Sequence, residues 1–441
     1  MCDVCGIPTH VVEVDETAAT AGPVARFAAL QHPDCRFYLI GAMLSMMADN
    51  IEHVITYWVI WQKFHSPVLV GFEVISHWTP FLFFSVYTGG LADRHDCRRV
   101  IQAAQLLFMA VSIGWGLFFF TNSLTEWAAA GLLILHGTAG AIWQPAEQLM
   151  LHDIVGPVEL PSAVRLNATF KSVGILFGPV VGSALLLGLG ARNGIFVNAL
   201  IYLPLTMWLL RTKFTGHVRD AHLSRARPSI GQAVGVMRDC ANNPAIISMV
   251  VLGGLASLFI GASLQPVMPA FASGMGIGSV GFAYGALLFA NGLGGVIGGI
   301  LLETTHILRP SVRSAIIATA IFGVCSLGFA ISHDYLLSLA LLVVGGMGSL
   351  ASQSIGQTVV QLLAPPAERG RVVGVYSMSS GGFRAGSGFT IGVLGAAIGL
   401  HLSLAISASV LVFATVLVAL YLQRLIRRAR REVDDLLPAE A

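Results

Sequence analysis

Long apolar stretches separated by short polar breaks run through most of the chain. Each is close to the roughly 20 residues that an α-helix needs to cross about 30 Å of hydrocarbon. Leucine, alanine, valine and glycine dominate them, which favours helices, because a barrel strand is shorter and alternates in polarity. The pattern predicts an all-α integral membrane protein with twelve transmembrane helices, at residues 37–60, 68–92, 100–120, 127–149, 163–188, 194–210, 245–268, 280–302, 312–331, 335–361, 372–397 and 401–422.

Six predicted spans lie on each side of the longest polar interruption. This interruption holds several arginines, Pro228 and an Asn242-Asn243-Pro244 break, so we interpret it as a linker between two pseudo-symmetric six-helix bundles. The segment before the first span lacks the charged, apolar and cleavage regions of a signal peptide, and we expect a tail there. The predicted order is a tail, a bundle, a linker, a bundle and a tail, at residues 1–36, 37–210, 211–243, 244–422 and 423–441.

Composition and charge agree with a membrane setting. Hydrophobic residues make up 55% of the chain and charged residues 11%, whereas about a quarter of a soluble protein is charged. Arginine and lysine collect on one side of the span alternation, and the other side has only Lys63 and Arg192. Short cytoplasmic loops hold the basic residues, which predicts a multi-pass protein of the bacterial cytoplasmic membrane with both termini in the cytoplasm. Topology accounts for the positive charge, so we expect lipid and not nucleic acid as its partner.

Ionisable residues within the spans are the candidate functional residues. Spacings of three and four residues bring Asp49, Glu52 and His53 onto one face of the first helix. Each intramembrane charge costs a few kcal/mol, so this face should meet a polar cavity. We predict that Asp49 and Glu52 carry protons, with Glu73 as the second choice. The other candidates for the same cavity are His77, His136, Glu147, Lys171 and Arg384.

Other interpretations of these residues stay open. Asp49, Glu52, His53 and His77 together have the donor atoms for a divalent transition ion, whereas Glu147 and His77 are also compatible with wet helix ends. These histidines recur at ordinary helical spacing, so we predict no resident metal and no cofactor.

The cysteines carry no predicted site. Six are scattered along the chain and do not predict a disulfide framework. The Cys2-x-x-Cys5 pair with nearby His10 has no second pair at ligand spacing, so we interpret it as part of the tail.

Lys171 and Arg384 are the predicted cavity cations, one in each half of the chain. An unpaired cation inside a span is costly. We therefore expect each to bind an anionic part of a substrate or to neutralise one of Asp49, Glu52 and Glu73.

A short motif recurs in the two halves. Gly89-Gly90-Leu91-Ala92-Asp93-Arg94-His95-Asp96-Cys97-Arg98-Arg99 follows the second span, and Gly298-Gly299-Ile300-Leu301-Leu302-Glu303 ends the eighth, with Arg309 and Arg313 beyond it. A glycine pair, an acid and a basic loop at matching places indicate a duplicated unit. The first copy resembles the signature loop of the major facilitator superfamily, although Asp96 and Cys97 depart from its pattern. We predict a gate here, with Gly89, Asp93, Arg94, Arg98 and Arg99 as its residues.

Two further segments resemble one branch of that superfamily, the branch with the bacterial enterobactin exporter and macrolide efflux pumps. They are Gln144–Val155, continued by Glu159–Asn167, and Gln361–Arg371. The helix-4 arginine of many proton-coupled drug exporters would fall near Leu133 and is absent. The fifth span carries a small-residue face that resembles an exporter-associated packing motif, formed by Gly174, Gly178, Pro179 and Gly182.

The resemblance implies a secondary transporter whose bundles rock around a central cavity. We expect a monomer that exports a small organic molecule, drug-like or siderophore-like, in exchange for protons. The sequence has no Walker-type phosphate loop, so ATP is not the expected driver. One alternative is transport of a transition metal or metal chelate through the histidines and acids of the first two spans. A membrane-embedded enzyme is the second alternative, disfavoured because no nucleophile or metal motif is recognisable.

Overall fold

The computed structural model describes most of the chain, and every regular element among the described residues is a helix. The prediction of an all-α protein is therefore confirmed. The described residues are 26–64, 67–217, 230–262, 264, 267–268, 271–272, 275, 280–305 and 308–436.

The N-terminal half, before residue 211, begins with a short 3₁₀ turn at Ala28–Gln31 and three separate helices. A continuous run, Glu126–Ile201, follows and is interrupted by non-helical backbone at Gly156 (φ 77°) and Gly190 (φ 75°). Glycine adopts this left-handed conformation without the penalty that a Cβ imposes. The helices are α1 (Pro33–Phe64), α2 (Pro67–Arg94), α3 (Cys97–Thr121), α4 (126–155), α5 (157–189) and α6 (191–201, extended by Leu203–Arg211).

The C-terminal half, from residue 230 onward, contains eight described helices. Asn243 caps the second by accepting hydrogen bonds from the amides of Ala245 and Ile246, with Pro244 at the first helical position. A π-type turn at Met378–Gly382 joins two short helices into one interrupted span. The helices are α7 (Ile230–Asn242), α8 (Pro244–Phe259), α9 (Val280–Thr305), α10 (Val312–Ile331), α11 (Tyr335–Leu363), α12 (Arg369–Ser377), α13 (Arg384–Ile398) and α14 (Leu400–Leu436).

Six helices among the described residues are long and apolar enough to cross a bilayer, or seven if the bent pair α7 and α8 is one span. One of the six, Glu126–Arg211, has 86 residues, and its two glycine breaks divide it into α4, α5 and α6. With 32 and 28 residues, α1 and α2 also have the length to span. The predicted spans coincide with described helices, except that α8 covers the span predicted at 245–268 only to Phe259 and the rest of that span is only partly described. The predicted gap at 150–162 contains a break, at Gly156, but the break is shorter than predicted, because helix continues on both sides of that residue.

Within the N-terminal half, α5 packs against α1 through its small-residue face. A Cβ added to Gly174 would lie 2.6 Å from the Met43 carbonyl oxygen, and one added to Gly178 would lie 2.5 Å from Asn50 Cβ. At Gly182 the nearest atom, Ile51 Cα, is 3.2 Å away. Larger side chains at the first two positions would push the helices apart.

Close glycine contacts also join the two halves. On one side α2 meets α12, where a Cβ on Gly370 would lie 2.5 Å from the carbonyl oxygen of Gly89. On the other side α9 meets α5, where a Cβ on Gly295 would lie 3.1 Å from Ser172 Oγ. Helices α2 and α5 of one half and α9 and α12 of the other thus take part in the interface between the halves.

Candidate functional site

The loop between α2 and α3 marks one end of the helices, which we name the basic end. Asp96 caps α3 by accepting a hydrogen bond from the Arg98 amide at 3.0 Å, and its carboxylate pairs with the Arg98 guanidinium at 2.7 Å. The hydrogen bond from the guanidinium to the Asp96 carboxylate raises the pKa of Arg98 above its ordinary value. Arg94 and Arg99 are exposed. The Asp96–Arg98 ion pair lies within the N-terminal half.

Asp93, at the end of α2, forms a contact between the halves that we name the first latch. Its side chain is buried. One carboxylate oxygen accepts the Gly370 amide at 2.6 Å, and the other accepts the Arg371 amide at 3.0 Å. Both amides belong to the first turn of α12, where unpaired N–H groups and the helix dipole attract an anion. The carboxylate therefore ties α2 to α12.

Glu303, at the end of α9, forms the second latch. It is fully buried, and Arg165 donates to its Oε2 from Nε and Nη2, both at 2.7 Å. Ser162 donates to Oε1, and the Phe27 amide reaches the same oxygen at 2.9 Å. Glu303 occupies the place in the repeated motif that Asp93 has in the first copy. The two latches thus lie on the two sides of the interface, one acid from each half.

A polar seam connects α4 with the end of α11 and the start of α12. Gln361 Nε2 donates to Gln148 Oε1 at 2.8 Å, and Arg369 Nη1 donates to His152 Nδ1 at 3.2 Å. All four side chains are buried. The two segments that resemble the exporter branch therefore contact each other here.

Sequence reasoning did not select the residues of the second latch and the polar seam as site residues. The available signal was that they fall within the repeat and the two resembling segments. They are Gln148, His152, Ser162, Arg165, Glu303, Gln361 and Arg369.

Farther into the N-terminal half lies an imidazole cluster, formed by Asp49, Glu52, His53, His77 and His136. His136 is buried between the two acids. Its Nδ1 lies 2.8 Å from Glu52 Oε1, and its Nε2 lies 2.6 Å from Asp49 Oδ1. A charge-assisted network thus joins α1 to α4.

The other two histidines complete the cluster. His53 Nδ1 hydrogen-bonds the Asp49 carbonyl oxygen at 2.7 Å. The ring centroids of His53, His77 and His136 are 5.0, 5.1 and 5.3 Å apart. One nitrogen of each ring lies within 4.8 Å of the other two. Five of the predicted residues therefore meet, whereas the side chain of Glu73, in α2, lies outside the described part of the structure.

Glu147 and Lys171 form a separate pair between α4 and α5. Their charged atoms are 2.5 Å apart, Glu147 is fully buried, and the Lys171 ammonium lies 4.7 Å from the Trp143 ring centroid. The expected acidic partners of Lys171 were the acids of α1 and α2. The structure corrects this expectation, because α5 places the ammonium beside the acid of α4.

Arg384, at the start of α13, reaches across to the N-terminal half. Its guanidinium carbon lies 4.5 Å from the Trp78 ring centroid, and Nη2 donates to Gln353 Oε1 at 3.2 Å. Its Nε is buried and has no hydrogen-bond partner among the described residues. No carboxylate of the described residues forms an ion pair with Arg384. The expectation that Asp49 or Glu52 neutralises Arg384 is therefore wrong.

Comparisons with known proteins agree with this architecture. A family model described as transmembrane secretion effector matches residues 24–437. The staphyloferrin A transporter of Staphylococcus aureus is 20% identical over 356 residues, which cover 80% of this chain and 87% of that protein. The enterobactin exporter of Citrobacter koseri is 24% identical over 413 residues, covering 91% and 93%. A solved bacterial homologue of the iron transporter ferroportin, in an outward-facing state, aligns with a TM-score of 0.69 at 15% identity, covering 88% and 99%.

Proposed function

Because the chain belongs to the transmembrane secretion effectors, a family of major facilitator transporters, we propose that it exports a small organic anion by alternating access. The family makes it a multi-pass membrane transporter of small molecules and not an enzyme. Two of its relatives are named for siderophores, and we propose a siderophore-like substrate on that basis.

The paired latches are the observation that carries this proposal. Asp93 and Glu303 are equivalent acids of the repeated motif, and each binds a helix of the opposite half. Charge-assisted hydrogen bonds of this kind are strong but break without covalent change. A transporter that alternates between two openings needs such a reversible closure at one end.

The side of the membrane that the latches close depends on the orientation of the chain in the membrane. We propose that the basic end is cytoplasmic, in line with the distribution of arginine and lysine. The latches then close the cytoplasmic side, so this conformation is outward-facing. Release to the outside would occur from this state, and loading would follow once both latches open.

Arg384 supports an anionic substrate. A guanidinium stacked on an aromatic ring recognises carboxylates well, since its N–H groups stay fixed in one plane. Here the ring is Trp78 of one half and the cation belongs to the other, so a bound molecule would contact both halves. A buried donor without a partner is unfavourable, and an anionic ligand at Nε would satisfy it.

We propose exchange for protons as the energy source. The sequence contains no phosphate-binding loop for ATP, and ionisable side chains are buried in the N-terminal half, as expected for an ion-coupled carrier. We also propose a monomer as the transporting unit.

Substrate profiling in inside-out membrane vesicles tests these proposals. A mixture of siderophores and drug-like compounds is offered with and without an imposed proton gradient, and accumulated compounds are identified by mass spectrometry. We expect gradient-dependent accumulation of a carboxylate- or catecholate-bearing compound. Arg384→Gln should reduce it at least tenfold.

The matched control is Arg192→Gln, because Arg192 is another cation on an aromatic ring, 5.3 Å from the Phe120 centroid, but lies away from the interface. Its transport should equal that of the unmodified protein. Equal loss in both variants would contradict the role of Arg384. Accumulation that ignores the gradient would refute proton coupling alone, and uptake in right-side-out vesicles only would refute export.

A further inference from the structure

The three histidines of the imidazole cluster come from three different helices. His53 lies on α1, His77 on α2 and His136 on α4, and one ring nitrogen of each lies within 4.8 Å of the others. Histidine nitrogens bind Zn²⁺ at about 2.0–2.1 Å, which places tetrahedral ligands about 3.3 Å apart. Rotation of the rings by about 1 Å at the nitrogens therefore closes the site around one ion without moving the helices.

Two of the histidines have the hydrogen bonds that metal-ligating histidines have. A ligating imidazole usually donates its second N–H to a carbonyl or a carboxylate, which fixes the ring orientation. His53 Nδ1 is held by the Asp49 carbonyl oxygen at 2.7 Å, and His136 Nδ1 by Glu52 at 2.8 Å. Glu52 is itself held by the Ser112 hydroxyl. In both histidines the Nδ1 contact directs Nε2 toward the role of ligand.

His77 and Asp49 offer two further ligand atoms at the cluster. His77 Nδ1 is buried and lacks a hydrogen-bond partner among the described residues. The Asp49 carboxylate lies 2.6 Å from His136 Nε2, in a hydrogen bond that a bound ion would replace, and 3.8 Å from His53 Nδ1. A fourth, oxygen ligand is therefore already beside the rings.

Charge also favours a cation here. Asp49 and Glu52 bring two carboxylates into a buried site, where uncompensated charge is costly. Positive charge on all three crowded imidazoles would be mutually repulsive, whereas one divalent ion balances both acids and binds neutral rings. Three nitrogens and one oxygen suit Zn²⁺ and its neighbours in the first transition row more than Ca²⁺ or Mg²⁺.

We propose that His53, His77, His136 and Asp49 form a binding site for one divalent transition-metal ion, with zinc as its model ion. The sequence predicted that these residues line a proton-coupling cavity, and the proposal assigns them to metal binding instead. It does not rest on the proposed export function, because a metal can bind to a chain that transports nothing.

Zinc binding to the purified full-length chain in detergent tests the proposal. Calorimetric titration with ZnCl₂ measures affinity and stoichiometry, and thermal unfolding without zinc reports folding. The background protein carries Cys2→Ser, Cys5→Ser and His10→Gln, since these residues offer other zinc ligands, and any affinity tag is removed. We expect one site per chain.

His53→Gln and His77→Gln are the informative variants, because both histidines are only half-buried and should fold. Each should lower zinc affinity at least tenfold. His401→Gln is the matched control, since His401 hydrogen-bonds the Ala330 carbonyl oxygen at 3.0 Å in the other half. Its zinc affinity should be unchanged.

X-ray absorption of the zinc-loaded protein gives a second measurement. Nitrogen and oxygen neighbours with three imidazole rings support the site. The proposal is overturned by the absence of zinc binding, by equal affinity in the background protein and both informative variants, or by sulfur neighbours. The vesicle assay stays independent, since substrate export without zinc binding would leave the proposed function intact.

Discussion

Asp93→Asn removes the charge of the first latch and keeps its shape. The carboxylate accepts two α12 amides, one on each oxygen, at 2.6 and 3.0 Å. In asparagine an NH2 group replaces one of these oxygens and cannot accept the amide that faces it. Loss of one charge-assisted bond and of the helix-dipole attraction costs about 2 kcal/mol. Since about 1.4 kcal/mol is a factor of ten, the latched population should fall about 30-fold relative to the open one.

Distances between spin labels at the basic end measure this shift. Val158, in the N-terminal half, is 67% exposed, and Arg313, in the C-terminal half, is exposed, so cysteines there accept labels. The described native cysteines, Cys35, Cys97, Cys240 and Cys325, are buried. Pulsed electron–electron double resonance should show that a longer distance between the two labels is more populated in Asp93→Asn than in the unmodified protein.

Asp96→Asn is the control for the same loop. Asp96 loses a comparable ion pair, with Arg98 at 2.7 Å, but this pair joins no helix of the other half. Its distance distribution should match that of the unmodified protein. An unchanged distribution in Asp93→Asn, or an equal shift in Asp96→Asn, would refute the latch. So would a transport defect in Asp93→Asn that is purely one of affinity, with normal turnover at saturating substrate.

Three further predictions concern other buried groups. Glu303→Gln should lengthen the same label distance, because it leaves buried Arg165 without its carboxylate; an unchanged distance would exclude a second latch. Lys171→Met should lower the free energy of unfolding in detergent by about 3 kcal/mol, because it leaves buried Glu147 without its cation, and adding Glu147→Gln should restore most of this loss. An equal loss in the single and double variants would contradict the pairing. Burial raises the pKa of the Cys240 thiol to about 11, which keeps it protonated at neutral pH. Its alkylation, followed by mass spectrometry, should be slow at pH 7.5 and accelerate about tenfold per pH unit up to pH 10; a plateau near pH 9 would show an ordinary thiol.

The helices were predictable because span length and polarity are local properties. The break between the fourth and fifth spans, predicted over residues 150–162 but confined to Gly156 in the structure, shows the limit of this reasoning. Pro157 follows Gly156 directly, and proline is well placed at the first position of a helix. Gly156 supplies the positive φ that ends α4, and α5 starts directly after it.

The site was predictable only within single helices. Helical spacing alone placed Asp49 and His53 together on α1. The approach of His136 to these residues depends on how α4 packs, 87 residues farther along the chain from Asp49, and no local pattern encodes it. The same holds for Lys171, whose partner was decided by the contact between α4 and α5 and not by the number of available acids.

The main-chain donor of Phe27 gives the second latch an unusual tolerance. The contact with Glu303 uses a backbone amide, which every amino acid except proline supplies, so the hydrogen bond itself does not depend on the Phe27 side chain. Phe27 has φ 55°, which proline also cannot adopt. The hydrogen bond to Glu303 therefore survives any substitution of Phe27 that keeps the amide and this left-handed backbone conformation. Neither sequence comparison nor an alanine scan would reveal this contact.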